Sequence, residues 1–474
     1  MPELNAYQKE AVERALRADE LFLVHGPPGT GKTTTLVELI KRAVERGERV
    51  LATADSNAAV DNLLERLVRE GVPAVRVGSP VRVLPAVRER TLDALVSREP
   101  EYGELKKLYD EIEKIKARQR ALVPPEPRFR RGLSDEEILR LARLGRSARG
   151  LSSSTISQMA RWIALRNEAK KLYQQAKKLE EKLVRRVLSR APVVCTTNAT
   201  AGSELLEPER FDLTVIDEAT QATEPSCLIP LVKSPKLVMA GDHKQLPPTV
   251  LSEKAKPLSY TLFERMLELY GEPVYAMLRL QYRMNEPIVE FPNRTFYGGK
   301  LLTPPEVARR RLPVKHPPGG PYADPEKPLV FKAVQGREEQ KKGSTSYYNE
   351  AEATEAVKAV KELLKAGLKP EQVGVVSPYE EQVKLLEELL KNEGVEVKTV
   401  DGFQGREKEA MVVSFVRANP EGELGFLKDY RRLNVAVTRP RTKLVLLGHE
   451  ETLKRDPVYA SLINFVKEKG TYIK

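Results

Sequence analysis

No stretch constrains this chain more than Gly26-Pro27-Pro28-Gly29-Thr30-Gly31-Lys32-Thr33. A short apolar run, Leu21 to His25, precedes it and reads as a buried strand, and Thr34 to Glu45 follows with helical periodicity. Strand, glycine-rich loop and helix in that order form the context in which a backbone wraps phosphate. Glycines permit the tight turn, and several N–H groups and a helix N-terminus then face the anion. In the pattern G-x-x-x-x-G-K-[ST], Lys32 is expected to put a point charge on the β/γ-phosphates and the Thr33 hydroxyl to ligate Mg²⁺. Gly26 through Thr34 are therefore the expected nucleotide-binding residues.

The chain on either side keeps the same rhythm. Asn5 to Leu16 reads as an amphipathic helix ahead of the first strand, and no accessory domain is expected before it. Arg49 to Ala54 reads as a second strand, Asn57 to Arg69 as a helix and Ala74 to Gly78 as a short third strand. Alternating βα units predict a doubly wound parallel sheet of the α/β class. The alternation then stops. Leu105, Leu108, Ile112, Ile115 and Leu122 share a 3/4 spacing, as do Leu172, Ala176, Leu179, Leu183 and Val187. They predict two long helices with narrow apolar seams, most simply an antiparallel pair. Between them, Val123 to Gly132 is a break, and Ser134-Asp135-Glu136-Glu137 is a helix start with acids in its first turn.

Strands resume at Pro192 to Thr197, Leu213 to Ile216 and Lys236 to Ala240, each delivering polar residues at its carboxyl end, where open α/β sheets bind ligands. After a proline-rich loop from Thr303 to Pro328, further strands are expected at Gln372 to Ser377, Val395 to Val400, Met411 to Val416 and Lys443 to Leu447. Helices Glu350 to Leu364 and Tyr379 to Leu390 separate them, and no second phosphate loop occurs. The expected organisation is a first domain in two parts, 1–90 and 191–277, a basic helical insertion at 91–190, and a second domain at 278–474.

Composition narrows the partners. The 474 residues carry a formal net charge of +12. Between Gly103 and Arg190, 23 lysines and arginines face 11 acids, an excess of 12 within the insertion alone. A solvated helical face and an arm gripping a phosphate backbone both fit such a charge concentration. Two cysteines, Cys195 and Cys227, and four scattered histidines supply neither a disulfide framework nor a spaced zinc cluster. The cysteine usage fits a reducing cytoplasm, and no apolar run reaches the roughly 20 residues of a membrane span, so no membrane partner is expected; the chain is expected to work as a monomer.

Hydrolysis of a phosphate anhydride needs a metal, an oriented water and positive charge on the transition state. Asp217 and Glu218 end an apolar strand, where one acid can hold Mg²⁺ with Thr33 and the other can deprotonate the water. Gln245 lies just past a neighbouring strand, within reach of a γ-phosphate. Arg283 and Arg439 stand in the second domain, so hydrolysis would depend on closure of a cleft.

Taken together, Leu4 to Gln8, the phosphate loop, Ser56 to Leu63, Val215 to Pro225, Gly241 to Pro248, Gln281-Tyr282-Arg283-Met284, Val400 to Glu407 and Leu433 to Arg439 resemble the superfamily 1B helicases. The resemblance is to the nonsense-mediated-decay, immunoglobulin-mu-binding and senataxin branch, in motif order along nearly the whole chain. It implies two RecA-like domains with ATP and Mg²⁺ in their cleft and 5′-to-3′ movement on single-stranded DNA or RNA. By matching positions, Gln8 would recognise adenine, Tyr282 would lie near the base, and Arg283 and Arg439 would be arginine fingers. Gln404 and Glu407 would couple the nucleotide to the second domain. Ser56, Asn57, Thr196, Thr197, Pro248, Ser377, Tyr379 and Thr399 fall in stretches that touch nucleic acid in the family, although such residues also cap helices. Two departures stand out. The family's accessory β-barrel is expected to be missing ahead of the first helix, and Pro440 follows Arg439 where relatives carry alanine. Without the barrel, an ATP-gated clamp that remodels without processive unwinding is the alternative. DNA and RNA stay undivided, because backbone and stacked bases carry no readable code.

Overall fold

The computed structural model describes residues 3–78 and 85–474. The chain forms two compact units, Met1–Glu70 with Thr196–Lys474, and Gly71–Cys195.

Two parallel sheets organise the structure. The first contains β1 (Leu21–His25), β2 (Val50–Ala54), β3 (Ala74–Arg76), β4 (Val193–Thr197), β5 (Leu213–Ile216), β6 (Leu237–Gly241) and β7 (Tyr275–Met277). Among the described residues its order is β3-β4-β2-β5-β6-β1-β7. β1 is buried along nearly its whole length between β6 and β7, with Leu23 aligned on Met239 and Tyr275. That explains its apolar run, since a central parallel strand is covered on both faces. The helix Lys32–Glu45 continues from the loop after β1, and Ser56 caps the helix Asn57–Arg69 through the Ala59 amide.

The second sheet contains β8 (Leu329–Ala333), β11 (Val373–Ser377), β12 (Glu396–Thr399), β13 (Lys408–Ser414), β14 (Pro440–Gly448) and β15 (Thr471–Ile473), in the order β12-β11-β13-β14-β8-β15. Two short antiparallel strands, β9 (Glu339–Gln340) and β10 (Tyr347–Tyr348), lie between β8 and β11 in sequence. Successive residues alternate between two cores. Phe331, Val376, Val413 and Leu446 enter one, and Val330, Val375, Val412 and Leu447 the other. Alternation of this kind is what the pleat imposes on a sheet covered by helices on both faces. The fold is thus α/β, with two doubly wound parallel sheets in tandem.

Boundaries differ from the sequence reading where local pattern and pairing disagree. β13 starts at Lys408, because Lys408 pairs with Pro440, and ends at Ser414 instead of Val416. Val416 has φ +70°, a left-handed conformation that removes it from the ladder. The proline-rich stretch contains only the short helix Pro305–Ala308, and the Lys443 ammonium gathers the carbonyls of Pro321, Asp324 and Lys327 within it.

In the second unit, the helix Tyr102–Gln119 and the 38-residue helix Ser153–Arg190 run antiparallel. Glu101 meets Arg186, Tyr109 meets Glu180, and Gln119 meets the Trp162 carbonyl, so one number rises as the other falls. Leu105, Ile112, Ile115, Ala176, Leu183 and Val187 are buried, while Leu122 lies beyond the end of its helix. Ser134 and Glu137 form a reciprocal capping box at the start of Asp135–Arg143.

Candidate active site

The phosphate loop leaves β1 at His25 and closes on the N-terminus of Lys32–Glu45. Gly29 and Gly31 have φ of +74° and +77°, where a side chain would strain the backbone. A Cβ on Gly29 would also come 2.6 Å from the Cβ of Arg283, and one on Gly31 2.5 Å from Nε2 of Gln8. Both glycines therefore let other segments sit against the loop. The Tyr282 amide donates to the Gly29 carbonyl at 2.8 Å, and Gln8 Nε2 donates to the Thr30 carbonyl at 3.0 Å. Gln8 Oε1 accepts from the Asn5 amide at the cap of its own helix, so Gln8 ties that helix start to the loop. Tyr282 is partly exposed and its hydroxyl accepts from Asn5 Nδ2.

Lys32 bridges the two acids that end β5. Its ammonium lies 2.5 Å from Asp217 Oδ1 and 2.6 Å from Glu218 Oε1. Burial would lower its pKa, yet the two carboxylates outweigh burial and hold it above the ordinary lysine range. Thr33 Oγ1 lies 3.5 Å from Asp217 Oδ2, which puts a hydroxyl and a carboxylate oxygen side by side. Glu218 has φ +52°, a strained position for a residue with a side chain, and its Oε2 accepts from Gln221 Nε2 at 2.9 Å.

Arg283, in the segment after β7, and Arg439, just before β14, reach the same place. Arg283 donates to Glu407 Oε2 at 2.8 Å and to the Thr438 carbonyl at 2.9 Å. Arg439 is only 2% exposed and donates to Gln245 Oε1, the Val435 and Arg406 carbonyls and Thr438 Oγ1. Burial, aided by the charge of Arg283, lowers its pKa to about 9. Burial likewise lowers Arg283, with Glu407 opposing. Burial would raise the Glu407 carboxyl, but Arg441 and Arg283 hold it below its ordinary range.

These groups line one cavity of about 250 Å³, bounded by the phosphate loop, Glu218, Gln245, Arg283, Gln404 and Arg439. Asn62, Arg66, Gln221 and Asp242 also line it, and sequence reasoning assigned none of the four a role. Arg66 donates to Thr34 Oγ1 from one helix face of Asn57–Arg69, a position with no local signal beyond helical spacing. Asp242 falls within the motif Gly241 to Pro248. It accepts from His25 Nε2 at 2.8 Å and from the Tyr297 hydroxyl at 2.6 Å, while Asn434 and Gln245 both donate to Tyr297. This buried network joins β1 to the helix Tyr430–Val437, which ends two residues before Arg439. Two of the four scattered histidines meet here, the rings of His25 and His243 lying 4.6 Å apart beside Asp242.

Family models agree with this architecture. A model described as an AAA domain matches residues 3–253, and a second AAA-domain model matches residues 258–451. An uncharacterized ATP-dependent helicase of Methanocaldococcus jannaschii is 45% identical over 98% of this chain and 70% of its own length. The chain belongs to the superfamily 1B helicases. The DNA polymerase alpha-associated DNA helicase A of Schizosaccharomyces pombe is 37% identical over 99% of this chain and 67% of its own. The DNA-binding protein SMUBP-2 of Rattus norvegicus is 38% identical over 98% of this chain, which spans 45% of that relative.

The residues expected from the sequence to touch nucleic acid lie at several separate places in the structure. Ser56 and Pro248 line a second cavity of about 330 Å³ with Asp55, Thr249, Asp401 and Gln404. Asn57 begins the helix that Ser56 caps. Thr196 and Thr197 end β4, with Thr197 capping the short helix Asn198–Ala201, and Thr399 caps Val400–Phe403. Ser377 Oγ accepts from the Tyr379 amide, and Tyr379 is buried, its hydroxyl donating to the Leu424 carbonyl. Among the described residues no helix is long and apolar enough to cross a membrane.

Proposed function

We propose that this chain couples ATP hydrolysis to 5′-to-3′ movement along single-stranded DNA or RNA and separates duplexes as it moves. The observation that carries this reading is the single cavity lined by the phosphate loop, by Glu218 after β5, by Arg283 from the segment between the two sheets and by Arg439 just before β14 in the second sheet. In this reading residues 1–90 and 191–277 form the first ATPase domain, 278–474 the second, and 91–190 an inserted arm.

Gly26 through Thr34 present backbone N–H groups and a helix N-terminus to the phosphates. Lys32, engaged with Asp217 and Glu218 in this structure, transfers its charge to the β/γ-phosphates when they arrive, which frees both acids. Thr33 and Asp217 offer adjacent hard oxygen donors, the donor type Mg²⁺ takes, and would hold it. The bound ion would supply neutralisation of the phosphate charge. Glu218 is then the base that orients and deprotonates the attacking water. Gln245, hydrogen-bonded to Arg439, reports the γ-phosphate to the arginine beside it. Arg283 and Arg439 meet the charge that develops on the transferred phosphoryl group. Gln8 and Tyr282 flank the loop on the side proposed for the base, and Gln404 and Glu407 tie the nucleotide to the second domain. The proposed working unit is one chain, since both arginines come from it.

Hydrolysis is measured with and without single-stranded DNA or RNA, and stimulation by at least one is expected. No stimulation by either sinks the reading. Strand displacement from duplexes with 5′ or 3′ overhangs then tests direction, with displacement expected from the 5′ overhang alone. Stimulated hydrolysis with no displacement from either end would assign the chain to an ATP-gated clamp.

A further inference from the structure

On the second domain a cavity of about 540 Å³ opens among Thr345, Tyr347, Tyr379, Arg417, Phe426 and Lys428. Phe426 is 57% exposed, and its ring lies 5.8 Å from that of buried Tyr379, tilted by 37°. Tyr347 meets Tyr379 edge-on at 5.7 Å, and the Arg417 guanidinium covers the Tyr347 ring at 4.2 Å from its centroid. A solitary exposed phenylalanine means little, because most surfaces carry a few. This one stands on a floor built from two further aromatic rings and a buried arginine.

The backbone beneath that floor is strained for a reason that packing alone does not supply. Val416 has φ +70°, a genuine outlier for a β-branched residue. It persists because a buried polar cage grips it on both sides. The Val416 amide donates to Glu352 Oε1 at 2.9 Å, and the Val416 carbonyl accepts from Asn349 Nδ2 at 2.9 Å. The turn delivers Arg417, 3% exposed, against Tyr347, where Glu338 holds its Nε at 2.6 Å. Strain held in place by the surrounding structure gathers at functional sites.

Charge decides what fits. Glu338 compensates Arg417, and Glu423 also lines the cavity, so a phosphate would meet a carboxylate there. A flat, uncharged ring with polar edges would not. The surface is also continuous with the one proposed for the strand. Arg432 covers Phe426 at 6.0 Å and pairs with Asp401, which lines the same cavity as Ser56 and Pro248.

We propose that Phe426, backed by Tyr347 and Tyr379, is a stacking subsite for one nucleobase of a single strand, with Lys428 on the rim meeting the adjoining backbone. The proposal rests on the helicase reading. DNA and RNA share the chemistry involved, since every base has a π-face.

The test measures affinity of the full chain for short oligothymidylate and oligouridylate strands, intact or with one abasic position stepped along the strand. Phe426→Ala should weaken binding of intact strands about tenfold without changing the salt slope, and Phe426→Trp should restore it. One abasic position should cost the wild type about tenfold and cost Phe426→Ala nothing. Loss in both chemistries marks a stack indifferent to the sugar, and loss in one names the source. Unchanged affinity in Phe426→Ala, or the same sensitivity to every abasic position in both proteins, overturns the subsite. Stimulated hydrolysis in the wild type separates that failure from failure of the helicase reading, under which neither binding nor stimulation would be seen and both proposals fall.

Discussion

Lys32 holds two carboxylates that must part from it before they can act, and this makes its substitutions informative. In Lys32→Ala, Asp217 is left buried without its cation, so turnover should vanish and thermal stability should fall as well, by on the order of 3 kcal/mol. Glu218→Gln keeps the hydrogen-bonding shape and removes only the base. It should bind nucleotide normally by titration calorimetry and hydrolyse it about 10²–10⁴-fold more slowly. Turnover at the wild-type rate would reassign the base. Arg439→Lys provides the sharpest contrast with surface arginines, because a lysine cannot reproduce a planar fork that reaches Gln245, Val435, Arg406 and Thr438. Phosphate-release kinetics should show hydrolysis slowed by about 10³-fold or more, against a small change in nucleotide affinity. All three positions were legible as motif residues. Their mutual pairing was not, since Lys32 meets Asp217 across 185 residues and Gln245 meets Arg439 across 194.

At the scale of elements, the end of β13 and the helix Glu350–Lys365 are joined by Glu352, fully buried among Ser414, Val416 and Asn349. Burial raises its carboxyl to about 8 despite the donors from Val416 and Ser414. The sign follows directly. The folded protein retains a proton that the unfolded chain gives up in the ordinary glutamate range, so this contribution is complete at acid pH and is lost as pH rises towards about 8. Urea midpoints of wild type and Glu352→Gln, compared across that window, should diverge, with the variant flatter. Parallel profiles would mean that Glu352 is ionised in the fold. The bend this cage supports was invisible in sequence. Met411 to Val416 reads as uninterrupted strand, because valine's preference for strands says nothing about a turn imposed by two buried side chains.

At the scale of the whole molecule, the basic excess between Gly103 and Arg190 lies mostly on the long helix Ser153–Arg190, where ten lysines and arginines face three acids, in a compact unit of its own. If that charge grips the strand, deleting Gly103–Arg190 should weaken binding and flatten the dependence of affinity on salt, with a slope shallower by about 0.7 for each phosphate of a single strand that is no longer neutralised. An unchanged slope would return the charge to solvent. The sequence by itself determined the two parallel sheets, the phosphate loop, the helical seams and the helix start at Ser134. The strands, the loop and the helical seams depend on residues close in sequence, where spacing and backbone preference act alone, and the parallel class of the sheets follows from the alternation of strand and helix. Only the tertiary structure decided that Lys32 guards both acids, that Tyr297 links His25 and Asp242 to Gln245 and Asn434, and that Val416 bends to aim Arg417. Those arrangements form only once segments distant in sequence have packed together, because a buried charge or a strained backbone is tolerated only when several distant partners hold it at once.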